Sequence, residues 1–301
     1  MLNKFKLKSF LIVFIISFVF SCEEKKEDPA IAITADYQLQ NDTYNAKLLK
    51  SRKENYLPLI ALLKMDSTKM NFGSNEKNFL ALRGDSIAPT FGAITKNDSI
   101  YEFEVYEDNL VKTLNDSIIK TMSLPLDSFG NSTPLRHKNI IWQIITRNDK
   151  PYLRVWDFAN PEIENFKGFE NYPLNTNMIF DGEFKYFQNK KSEDVDSQLG
   201  LKTITNFIGN VSFTYEGKSH SLDVGEGGFL MVNDFSSGNE TYGGGRYMYL
   251  TLPEKDSIVT LDFNELYNPP CAFNKFTTCL YPPRQNEMPF KIEAGEKLKR
   301  N

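Results

Sequence analysis

The chain has 301 residues, with 35 Lys and Arg against 39 Asp and Glu, 2 His, 3 Cys, 14 Tyr and 24 Phe. Hydrophobic residues at 41% and aromatic residues at 13% are enough for a sizeable core, which excludes global disorder and a small disulfide-stapled scaffold. Two His exclude a three-His metal centre, and a net charge of −4 argues against sequence-independent binding to nucleic acid, so neither a metal, a cofactor nor a nucleic-acid partner is expected.

Lys4, Lys6 and Lys8 give a positively charged start, and Phe10 to Phe20 form an uncharged 11-residue stretch. That is too short for a membrane-spanning helix, which needs about 20 apolar residues, and fits the h-region of a secretory signal over 1–21. The following Val19-Phe20-Ser21-Cys22 resembles a bacterial lipobox, which makes Cys22 the expected lipidation site; the alternative is an ordinary signal peptide with an incidental Cys22. Residues 22–38 read as an acidic tether because Glu23 to Pro29 carries charge and nothing apolar. The expected address is the bacterial cell envelope, with acyl chains anchoring the protein to the outer membrane. An acidic run directly after such a Cys also resembles a signal for export to the cell surface; the plain reading is a solvated spacer.

Past the tether, Asp42 is a candidate N-cap, and Tyr44, Leu48, Leu49 and Tyr56 recur at helical spacing over 42–55. From Leu57 the period changes. Leu57 to Met65 is largely apolar, Tyr101/Phe103/Val105 alternate with Glu102/Glu104, and Ile140 to Ile145 is β-branched around Trp142. Val211–Tyr215 and Lys218–Leu222, separated by Glu216-Gly217, read as a hairpin with a two-residue turn, and Ile258–Phe263 as a further strand. The expected fold is mainly β, with an N-terminal helical segment followed by one or two packed sandwich-like lobes. The expected boundaries are a helix and first lobe over 39–107, a polar insertion over 108–138 punctuated by Pro125, Gly130 and Pro134, a second lobe over 139–297, and a tail over 298–301. The turn Asn71-Phe-Gly-Ser74 gives the first lobe a faint resemblance to a forkhead-associated β-sandwich, but the Ser-x-x-His element of that phosphothreonine reader is missing. Phe79, Phe91, Phe103, Phe180, Phe184 and Phe187 are expected to pack in the core.

The C-terminal third carries the most specific pattern. Thr241-Tyr-Gly-Gly-Gly-Arg246, Asp262-Phe-Asn264, Tyr267-Asn-Pro-Pro-Cys-Ala-Phe273, Cys279, Pro282-Pro283 and Ala294-Gly-Glu-Lys297 follow one another in order. This series resembles the close of the domain of unknown function 1684 family of bacteria and archaea. Looser similarity continues upstream through Arg147, Arg154 and Asp157, where that family has a pair of arginines. The resemblance implies a domain and no reaction.

Read physically, the glycines permit close approach, and Arg246 brings a rigid five-donor fork. No phosphate-loop pattern accompanies them. One reading makes Arg246 a clamp for a small anionic ligand, with Tyr242, Asp262, Asn264, Tyr267 and Asn268 around it; the other makes Arg246 and Asp262 a buried ion pair between strands. Cys271 and Cys279 are an even pair in an exported chain, so a disulfide is the first hypothesis, ahead of free thiols, a nucleophilic Cys271 or a metal pair. The functional expectation is a lipid-anchored envelope binding or scaffolding module. The alternatives are an envelope enzyme, hydrolytic in type, around Arg246 and Asp262, or a structural partner of envelope proteins in an outer-membrane complex.

Overall fold

The computed structural model describes residues 32–300 apart from 84–86, 99, 107–108, 199 and 201; the expected signal segment and the expected lipidation site Cys22 lie outside the described residues. The chain enters through a helix, Ala35–Ser51, which ends in a π-type turn at Arg52–Tyr56. The helix starts seven residues before the expected Asp42 cap. Thr34 has extended backbone and its hydroxyl accepts from the Tyr37 amide at 3.2 Å, so part of the expected tether is helical.

Two sheets then face each other. One runs in the spatial order Leu59–Lys64, Lys150–Asp157, Ile140–Arg147, Leu135–His137, Val111–Thr113 and Ile118–Ile119; the other is Leu80–Ala81, Lys69–Gly73, Gly92–Asn97, Ile100–Val105 and Thr121–Leu124. Their inner faces bury Phe72, Phe91, Phe103 and Trp142, whose rings meet at centroid separations of 5.1 to 5.7 Å. Strands with period-2 alternation, such as Tyr101 and Phe103 inward against exposed Glu102 and Glu104, explain this layer.

Two expected boundaries move. The stretch 108–138 is no insertion: it supplies strands to both sheets and puts Val111, Leu124 and Leu135 into the core. Its polar spacing hid short strands that need only one inward apolar residue each. Strands Ile140–Arg147 and Lys150–Asp157 likewise belong with the first sandwich rather than with a lobe starting at 139.

After Asp157 a second core forms. A four-stranded antiparallel sheet in the order Lys218–Gly225, Lys202–Tyr215, Ile179–Asp196 and Ser257–Asp262 packs with the pair Phe229–Val232 and Arg246–Tyr249 around Phe184, Val211, Leu222, Leu230 and Phe263. The hairpin at Glu216-Gly217 has φ of 49° and 73° at its two turn residues, and Tyr215 pairs with Lys218, as a two-residue turn with positive φ at both positions requires. The fold is mainly β. Five of the six phenylalanines expected inside are buried or half-buried; Phe79 is exposed.

Candidate functional site

Arg246 sits directly opposite Val232 in an antiparallel pair, so its side chain shares a face with Asp234, two residues further on. The guanidinium has no exposure at all. It donates to Asp234 Oδ2 at 2.9 Å, to the Ile292 carbonyl at 2.9 Å, to the Glu296 carbonyl at 3.3 Å and to the Ala294 carbonyl. Asp234 is equally enclosed and also accepts from the Ser236 amide at 2.7 Å. Burial pulls the Arg246 pKa down and the Asp234 carboxylate opposes that. Arg246 is therefore a strut that ties one strand to the 292–296 segment, and its acid partner is Asp234, not Asp262. Asp262 instead accepts from the Tyr37 hydroxyl at 2.7 Å and from the Asn264 amide and Nδ2, both at 2.9 Å.

The other motif residues do similar work. Asn264 accepts from the Asn175 amide and donates to the Asn175 carbonyl, locking two loops together. Arg52, at the helix end, makes a bidentate pair with Glu296 at 2.6 and 2.7 Å while its guanidinium lies 5.2 and 5.3 Å from the ring centres of Phe169 and Phe273. Glu296 Oε2 also accepts from the Asn268 amide. Gly245 has φ +81°, and a Cβ there would run into the Pro282 ring; Gly295 has φ +72°, and a Cβ there would strike the Leu266 carbonyl. Cys271 and Cys279 form a disulfide with Cα atoms 6.0 Å apart. Tyr242 is half-buried, its hydroxyl 3.3 Å from Gln198 Oε1.

What the sequence placed around Arg246 thus divides: Tyr242, Arg246, Asp262 and Asn264 are spent on the fold, whereas Tyr267 and Asn268 line a groove elsewhere. That groove has two chambers that share Tyr56, Phe229, Tyr247 and Pro270. One, of about 400 Å³, lies beside the helix residues Tyr44, Leu48, Ser51 and Arg52 and is walled by Tyr249, Tyr267, Asn268 and Phe273. The other, of about 250 Å³, is bounded by Leu62, Ile145, Arg147 and Arg154 from the outer face of the six-stranded sheet and by Phe276 to Leu280 of the disulfide loop.

Strand alternation explains the two arginines. Leu153 and Val155 point into the sandwich core, so Arg154 must point out, as Arg147 does beyond the buried Ile144. The strands are joined at Asn148-Asp149, with φ of 48° and 58°; Arg147 flanks that turn, and Arg154 lies further along the second strand, opposite Gln143, on the same outer face. Arg154 lies 5.0 Å from the Trp156 ring, and Arg147 donates to its neighbour's carbonyl, Thr146 O, at 2.7 Å. Neither makes an ion pair among the described residues, though both are half-buried. Burial pulls the Arg154 pKa down and the like charge of Arg147 pulls it further, the opposite of what a carboxylate partner would do. Burial pushes Tyr247 and Tyr267 well above the usual phenol range, so both stay neutral. The wall is aromatic and uncharged around a concentrated positive charge, an arrangement suited to holding an anion. Sequence reasoning noted Arg147 and Arg154 only through family register; the alternation of the two strands was the physical signal that puts both on one face.

No curated protein matches the chain. Among solved structures, an uncharacterized protein of Haloarcula marismortui determined by solution NMR is 25% identical, covering 46% of this chain and 80% of its own, with a TM-score of 0.39. Residues 164–297 match the model of the family described as a protein of unknown function (DUF1684).

Proposed function

We propose that this protein is a lipid-anchored binding module of the bacterial cell envelope that holds a small anionic ligand between Arg147 and Arg154 in the tyrosine-walled groove. One contrast carries the reading. The two fully enclosed arginines, Arg52 and Arg246, each meet a carboxylate, while the two half-buried arginines of the groove meet none among the described residues. A charge withdrawn from water without a partner costs stability, and such a cost is kept where a ligand supplies the missing charge. The anchor reading rests on the charged start, the apolar run and Cys22.

The binding claim is tested by thermal-shift titration with a panel of carboxylates and with inorganic phosphate. At least one anion should raise the melting temperature of wild type and leave Arg147→Gln/Arg154→Gln unmoved; equal response of the two proteins would refute it. The anchor is tested by labelling with a palmitate analogue, and equal labelling of wild type and Cys22→Ala would remove it.

A further inference from the structure

The larger chamber says more about the ligand than the arginines do. Asn268 is fully enclosed, and its Nδ2 donates to the Lys297 carbonyl at 2.8 Å, which fixes the amide so that Oδ1 is the free end. That Oδ1 has no hydrogen-bond partner among the described residues. A buried acceptor without a donor is costly, and most are satisfied in folded proteins. The Tyr267 hydroxyl in the same chamber likewise makes no hydrogen bond among the described residues. Around these polar points stand Phe229, Tyr247 and Tyr249, with Tyr249 57% exposed at the mouth. The two chambers have Tyr56, Phe229, Tyr247 and Pro270 as common walls.

We infer that the ligand is an acidic saccharide, with its carboxylate at Arg147 and Arg154 and a neighbouring sugar ring in the tyrosine chamber, its hydroxyls bonding Asn268 Oδ1 and the Tyr267 hydroxyl. This deepens the anion-site reading and rests on it. A bare inorganic anion fills only the smaller chamber and leaves Asn268 unpaired. An apolar ligand fits the rings and pairs neither polar group. A pyranose has C–H faces for tyrosine rings and hydroxyl donors at its rim, which meets both demands.

The test is titration calorimetry on the full chain in detergent, with trigalacturonate, maltotriose and inorganic phosphate as probes. Trigalacturonate should bind more tightly than either of the other two. Tyr267→Phe, which keeps the ring, should weaken trigalacturonate by about three- to tenfold, the loss of one hydrogen bond, and leave phosphate unchanged. If phosphate binds in an arginine-dependent way and trigalacturonate binds no better, the saccharide inference fails and the anion site stands. If no probe binds, or if maltotriose binds as well as trigalacturonate and ignores Arg147→Gln/Arg154→Gln, both fail.

Discussion

Replacing Arg246 by Met keeps most of the alkyl stem and removes the guanidinium, and it separates a folding strut from a ligand clamp. The deletion leaves Asp234, with no exposure of its own, holding only backbone amides, and it strips a donor from the carbonyls of Ile292, Ala294 and Glu296. Breaking a buried ion pair from one side costs about 3 to 5 kcal/mol, before the stranded carbonyls are counted. At roughly 2 to 4 °C per kcal/mol for a chain of this size, the melting temperature should fall by about 6 to 20 °C. Differential scanning calorimetry measures this directly, with Arg154→Met as the control. Arg154 pairs with no acid among the described residues, so its loss should move the melting temperature by no more than about 2 °C, or raise it. An Arg246→Met protein that melts where the Arg154→Met protein does would refute the division of labour between the two arginines.

Glu296→Met should also lower the melting temperature by about 10 °C or more because Arg52 is left charged between two rings, and the Arg52→Met/Glu296→Met pair should recover much of the loss. The Cys271–Cys279 disulfide closes a short loop whose constraint is worth about 2 to 3 kcal/mol in the chain-entropy model, so reduction should lower the melting temperature by about 4 to 12 °C. Because Phe276, Thr277 and Thr278 of that loop wall the arginine chamber, reduction should also weaken anion binding, read in the same thermal-shift titration. His137 is buried against Phe91, and burial holds its pKa below the usual imidazole value. The unfolded chain therefore takes up a proton there first as pH falls, so stability is full above about pH 7 and declines below about 6.5. His137→Phe should flatten that decline in urea midpoints measured from pH 7.5 to 5.5; an unchanged slope would discount His137.

Local chemistry was legible where it was self-contained. Glu216-Gly217 between alternating runs dictates its hairpin, and Cys271 and Cys279, 8 positions apart, form the expected disulfide. The helix start was not, because Thr34 caps from within a charged stretch that resembles a solvated tether. The acid beside Arg246 was misplaced for a different reason. Asp262 lies on a clear strand, while Asp234 opens a Ser-Gly-Asn turn whose proximity to Arg246 follows only from the pairing of Val232 with Arg246. Residues that ought to mark a site by type, Arg, Asp and Asn among glycines and prolines, proved to be the fasteners of a loop-rich region that has many backbone carbonyls to satisfy. The groove itself is assembled from the helix, the outer face of the first sandwich, the strand pair carrying Phe229, Tyr247 and Tyr249, and the 267–280 segment with its disulfide loop, which are far apart in the chain, and no single stretch of sequence displays it.

The most direct measurement is an anomalous difference map from crystals of wild type and of Arg147→Gln/Arg154→Gln soaked in selenate, a tetrahedral anion visible at its own absorption edge. A peak beside the guanidinium groups of Arg147 and Arg154 in wild type, missing from the double variant, is the predicted result. Peaks confined to other surfaces, or one that persists in the double variant, would contradict an anion site in the groove.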